Sequence, residues 1–209
     1  MAERALSATE WRGYGREQFP QGSWSVDGDV LRAVAQAERV DLITRAAFGD
    51  FTLLFDWRLP RAGTTAVLYR VQEEAGPASL TGPAMQLLDD EHHPDGADSL
   101  TSCGALYGLM APWHDLRSSA NAYHSARIVM KGSAVEYWID EVQVIGCDLA
   151  SEELRARIAR SRFRDYPQFA RLAAGHIVLQ HRGTEAWFRR LRIDVTRAGA
   201  DPAAPLQAS

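Results

Sequence analysis

Two histidines and four carboxylates fall within seven consecutive residues, Asp89-Asp90-Glu91-His92-His93-Pro94-Asp95. An imidazole changes charge near neutral pH, so His92 or His93 is a candidate general base, oriented by Asp89, Asp90 or Asp95. The same residues also fit an exposed polar loop whose hydrogen bonds only fix its shape. A metal site is a third reading, but adjacent histidines rarely ligate one ion without a partner from elsewhere. No metal is therefore expected.

Four further positions could carry chemistry. Arg70 lies between apolar neighbours, where an unpaired charge is costly. It either pairs with a carboxylate or faces a cavity, and the cavity is favoured. Gln86 stands on the next extended segment as a candidate hydrogen-bond partner for a ligand. Tyr107 and Trp138 are candidate stacking surfaces, although aromatics at strand spacing also serve as core.

The elements that must hold these groups are short and extended. Phe51, Leu53, Phe55, Trp57 and Leu59 recur at a period of two, which predicts a strand with one buried face. Residues 65–72 and 84–89 follow as strands, separated by Pro- and Gly-containing turns. Asp27-Gly28-Asp29 between extended pieces predicts a hairpin. Residues 124–131, 134–139 and 143–148 read as an antiparallel meander, and 175–181 with 185–195 as the last pair. Trp187, Leu191, Ile193 and Val195 are expected on one face. One short helix is predicted near 151–160, capped by the Ser151 hydroxyl, with Glu152 and Glu153 complementing its dipole. The arginines around it read as a solvated face. About a dozen strands without βα alternation indicate an all-β, jelly-roll sandwich of two antiparallel sheets. Residues 1–21 read as a lead-in, 22–195 as a single domain, and 196–209 as a disordered tail.

A hydrophobic fraction of 46% and a net charge of −4 describe an ordinary globular chain, with no membrane partner expected. A pI near 5.9 argues against nucleic acid. The N-terminus lacks an apolar signal region, which reads as cytoplasmic. Cys103 and Cys147, without CxxC spacing, read as buried small hydrophobes. The sequence gives no oligomeric state.

Taken in order, the segments resemble the 3-keto-disaccharide hydrolase domain family. The matching pieces include Trp24-Ser25-Val26-Asp27-Gly28, Tyr69-Arg70-Val71, Gln86-Leu87-Leu88-Asp89-Asp90, His93-Pro94-Asp95 and Gly104-Ala105-Leu106-Tyr107. They continue through Arg127-Ile128-Val129, Val135-Glu136-Tyr137-Trp138, Gly175-His176-Ile177 and Phe188-Arg189. The resemblance implies a concanavalin-like jelly roll acting on a glycoside oxidised at C3. A base then removes the acidified C2 proton, the C1 substituent leaves by β-elimination, and water adds. No cofactor is implied. Arg127 and Gln180 join Arg70, Gln86, Tyr107 and Trp138 as candidate substrate contacts.

The chain departs from the family at several of these positions. Ala84-Met85-Gln86 stands where members show Glu-Tyr-Gln, and Gly63-Thr64-Thr65-Ala66 where they show Gly-Asn-Ser-Gly. His124 replaces an Asn, and Gln180-His181-Arg182-Gly183 stands for Gln-Asp-His-Gly. Arg190 replaces the Asn of Phe-Arg-Asn. Position 84 shares a face with Gln86, and position 64 with Arg70, so a more apolar cavity is expected on the concave sheet. His124 and His181 become candidate acids or bases beside His92, His93 and Asp90. Three functions follow: a keto-sugar hydrolase or lyase, a relative recruited into biosynthesis as a cyclase, isomerase or dehydratase, or a non-catalytic carbohydrate-binding module. The partner is a small molecule, sugar-like or polycyclic and polyketide-like.

Overall fold

Alternation sorts the strands into two layers. The computed structural model describes residues 3–74, 76–114 and 120–198. The N-terminal half contains β1 (Arg4–Ala5), β2 (Trp11–Gly13), β3 (Trp24–Asp27), β4 (Val30–Ala33), β5 (Leu42–Thr44), β6 (Phe48–Arg58), β7 (Thr64–Val71) and β8 (Ala84–Leu88). The second half contains β9 (His124–Lys131), β10 (Ala134–Ile139), β11 (Val142–Asp148), α1 (Glu152–Ala159), β12 (His176–Leu179) and β13 (Ala186–Ala198). The larger sheet runs β11-β10-β9-β6-β13-β4-β3, with β1 also paired to β13; the smaller runs β2-β5-β12-β7-β8. Every pairing between named strands is antiparallel. The protein is the jelly-roll sandwich that the pattern predicts.

Between the sheets, Phe51, Leu53, Phe55 and Trp57 of β6 meet Val67 and Tyr69 of β7 and Met85 and Leu87 of β8 in one cluster. Each such side chain contributes about 1.5–3 kcal/mol on burial. The Tyr69 and Tyr137 hydroxyls hydrogen-bond at 2.8 Å, which ties β7 of one sheet to β10 of the other. The outer face of the smaller sheet is also covered. Ile43, Ala66, Leu68 and Val178 form a second, fully buried cluster there. This is why all eight residues of β7 are buried.

The meander, the β3–β4 hairpin and the helix cap form as the sequence indicates; the Ser151 side chain accepts from the Leu154 amide. Three expectations are corrected. Residues 1–21 are no mere lead-in, since β1 joins the larger sheet and β2, with Trp11 fully buried, edges the smaller. The last strand continues past Val195 to Ala198, so regular structure enters the segment read as tail. Arg190 takes a left-handed φ of +53°, where the β13–β6 register shifts between Arg189 and Arg192. This bulge reverses the alternation: Phe188 points into the core, and Trp187 faces out against Arg58. Trp187 therefore does not share the inward face of Leu191 and Ile193.

Candidate active site

The acidic loop begins where β8 ends, and its first residue is its anchor. The Asp89 amide donates to the Gly63 carbonyl at 3.1 Å, and Asp89 Oδ2 accepts from the Ala62 amide at 2.8 Å. The carboxylate is 2% exposed at residue level, and Oδ2 lies 2.9 Å from His92 Nδ1. A tight turn makes this possible, with the amides of His92 and His93 both donating to the Asp89 carbonyl. A carboxylate at Nδ1 fixes the tautomer with the proton there, so Nε2 of a neutral His92 carries the lone pair. That side chain is 26% exposed, enough to reach a substrate in solution.

The other loop candidates shape the loop itself. Asp90 Oδ1 accepts from the Cys103 amide at 2.8 Å, and His93 Nδ1 accepts from the Asp95 amide at 3.1 Å, capping the 3-10 turn Pro94–Ala97. A Cβ at Gly96 would lie 2.2 Å from the Asp90 carbonyl oxygen, so the loop closes on itself only with glycine there. Among the described residues, no three His, Cys, Asp or Glu side chains form a group that could hold a metal ion.

Gln86, Tyr107 and Gln180 come together on the outer face of the smaller sheet. Gln86 Nε2 donates to Thr64 Oγ1 at 3.1 Å, while its buried Oε1 has no partner. The segment 104–107 runs along the edge of β8, with the Tyr107 amide donating to the Ala84 carbonyl at 3.0 Å. Gln180 Oε1 accepts from Arg182 Nε at 2.7 Å, and the Arg182 guanidinium carbon stands 5.5 Å from the Tyr107 ring centroid. Arg182 is the residue that sequence reasoning passed over; its signal was its place just past Gln180. Between these polar groups the face is apolar and closed, with Ala84, Ala66 and Leu68 among its buried residues.

The remaining candidates lie elsewhere. Arg70 does not share a face with Thr64. Its φ of +52° marks a bulge where the β12–β7 register shifts, which sends Val71 to the outer cluster and Arg70 to the far end of the sandwich. His124 Nδ1 lies 2.6 Å from Asp140 Oδ2, and the ring stands 5.2 Å from Trp57, at the end of β9. Arg127 covers Trp138 at 4.3 Å on the outer face of the larger sheet, beside a groove of about 180 Å³. His181 is 3% exposed; its Nε2 faces the Val34 carbonyl at 3.1 Å and its Nδ1 accepts from the Gly183 amide at 3.1 Å. Burial lowers its pKa, and the ring sits edge-on to Trp24. Both nitrogens being engaged, His181 holds the β12–β13 turn.

The comparisons agree with this architecture. A chain from Bacteroides thetaiotaomicron described as a 3-keto-disaccharide hydrolase is 24% identical over 216 residues, covering 88% of this chain and 74% of its own length. A crystal structure of a candidate glycosyl hydrolase from Parabacteroides distasonis superposes with a TM-score of 0.83 at 20% identity, covering 91% of this chain and 90% of the other. A carbohydrate-binding module from Bacillus subtilis shares the fold, with a TM-score of 0.58 at 13% identity over 91% and 99% of the two chains. Residues 5–194 match the 3-keto-alpha-glucoside-1,2-lyase-like domain, and the chain belongs to that family.

Proposed function

We propose that the protein is a cofactor-independent enzyme that cleaves a 3-keto-glycoside by proton abstraction next to the carbonyl. The observation that carries this reading is the His92–Asp89 pair, an accessible imidazole aligned by a buried carboxylate. Nε2 of His92 takes the C2 proton, which the C3 ketone acidifies. The electron pair left on C2 forms the C1=C2 bond, and the C1 oxygen leaves with a proton as the free aglycone. Water then adds across the double bond, with hydroxide equivalent at C1 and a proton returned to C2. The sum is glycoside plus water giving a 3-keto sugar and an alcohol. The membership of the family supports the substrate class.

A second reading is favoured by one specific feature. Ala84, Ala66 and Leu68 fill the outer face of the smaller sheet. With Ala84 and Thr64 standing where the family resemblance expects a carboxylate and an amide, the loss of those polar groups favours a carbonyl substrate more apolar than a disaccharide, as in a relative recruited for biosynthesis. Incubation with an aryl 3-keto-glucoside separates the two. Aglycone release that disappears in His92→Gln supports hydrolysis. If the wild-type protein releases none, the hydrolase reading is refuted.

A further inference from the structure

Three of the exposed arginines near α1, Arg155, Arg164 and Arg171, border a cleft of about 650 Å³ with Arg70 in its lining. One of them, Arg164, also pairs with Asp165 at 3.5 Å. The cleft lies at the opposite end of the sandwich from the His92 loop. Thr64 pairs with Leu88 beside that loop, whereas Arg70 lies at the other end of β7. Ile158 of α1 and Phe169 supply apolar wall, and Tyr166 stands at the rim, 38% exposed. Among the described residues, the lining has four arginines and one carboxylate, Asp50.

Arg70 is the informative member. It is 4% exposed, and its Nη2 donates to the Gly132 carbonyl. The nearest carboxylate oxygen, on Asp50, is 3.9 Å away and already accepts from the Gly132 amide at 2.9 Å. Its Nε is buried without a partner. A guanidinium offers five donors in a planar fork, and this one is under-used in a site where burial disfavours its charge. The backbone beneath it is also held in the left-handed region, and Gly175 makes that possible. A Cβ at Gly175 would lie 2.5 Å from the Arg70 carbonyl carbon. A left-handed backbone beneath a buried guanidinium whose Nε has no hydrogen-bond partner and whose ion pair with Asp50 is long, at 3.9 Å, points to a ligand rather than to stability.

We propose that this cleft binds an anionic ligand of monosaccharide size, its carboxylate or phosphate group held by Arg70 and flanked by Arg155, Arg164 and Arg171. The volume falls within the ordinary range for small-molecule sites. Charge-assisted contacts to a fork of guanidinium groups supply the recognition, and Ile158 and Phe169 receive the less polar face.

The test is calorimetric titration of the full chain, at fixed ionic strength, with glucose 6-phosphate, glucuronate and neutral glucose. At least one anion is expected to bind about tenfold more tightly than glucose, and the tighter of the two identifies the class of anion. The double variant Arg155→Ser/Arg171→Ser, whose side chains are exposed and whose folding is checked by its melting temperature, is expected to weaken that binding about tenfold. Arg70→Gln is expected to weaken it further. The proposal is overturned if neither anion binds more tightly than glucose, or if the double variant binds with wild-type affinity.

Discussion

Replacing His92 tests the base and the fold separately, because the imidazole has two jobs. It is the proposed base, and among the described residues it is also one of two groups that hydrogen-bond to the Asp89 carboxylate. Removing a general base costs roughly 10²–10⁴ in rate. At about 1.4 kcal/mol per tenfold, that is about 3–5 kcal/mol of transition-state stabilisation. His92→Gln keeps an amide donor within reach of the carboxylate, so its kcat should fall by that factor with little change in melting temperature. His92→Ala leaves the buried Asp89 carboxylate with the Ala62 amide at 2.8 Å and without its charge-assisted partner at 2.9 Å. The lost bond is worth roughly 1.5–3 kcal/mol, and in a domain of this size it lowers the melting temperature by roughly 3–10 °C. Adding Asp89→Asn to His92→Ala should recover part of that stability and none of the activity. The assay is aglycone release from an aryl 3-keto-glucoside, read beside calorimetric unfolding. A His92→Gln variant that keeps kcat within about threefold of wild type would refute the role of this imidazole.

Other consequences can be measured on stability alone. Tyr69→Phe or Tyr137→Phe each strands one buried hydroxyl and should cost about 1–3 kcal/mol in urea unfolding, whereas the double variant should cost clearly less than the sum. Gly175→Ala drives a Cβ into the Arg70 backbone, which cannot yield as a side chain would; a loss of about 1–3 kcal/mol is expected, and an unchanged melting temperature would show that the bulge is soft. Burial raises the Asp41 carboxyl to about 6, above its unfolded value, so its contribution is fully present below about pH 4 and is lost as pH rises through 6. Asp41→Asn keeps an acceptor for the His181 amide and cannot ionise. Relative to wild type it should therefore gain stability between pH 4 and pH 7.5, by no more than about 3 kcal/mol, and a flat difference would count against the buried-charge account.

What could be read in advance follows the range over which each signal acts. Residues 124–148 were legible because each strand alternates regularly and each turn carries its own chemistry, as Lys131-Gly132-Ser133 does with Gly132 at a φ of +58°. The hairpin at Asp27-Gly28 was legible for the same reason. Bulges defeat this logic. One extra residue at Arg70, and another at Arg190, moves everything beyond it to the opposite face, and an arginine in left-handed conformation leaves no mark in composition. That shift separated Arg70 from Thr64 and Trp187 from Leu191. The His92 loop was visible as a dense set of titratable groups. Its division into a proposed catalytic pair, Asp89 and His92, and a scaffold, Asp90 and His93, depended on backbone amides of Ala62, Cys103 and Asp95. Those amides have no side-chain identity and so cannot be seen in a sequence.

The position of β13 has a consequence for how the chain acquires its structure. It is the last described strand, yet it lies inside the larger sheet, bonded to β6 on one side and to β4 and β1 on the other. Until residues 186–195 leave the ribosome, β6 has one open edge, and the N-terminal strands β1, β3 and β4 have no central strand to join. Vectorial synthesis therefore cannot lay down this sheet in order; the nascent chain must keep Phe51, Phe55 and Trp57 out of unwanted contacts while it waits. Pairing across nearly the whole chain length makes such folding slow and exposes it to aggregation. The same arrangement sets Arg4 opposite Ile193, so that the two described ends of the chain meet in the finished domain.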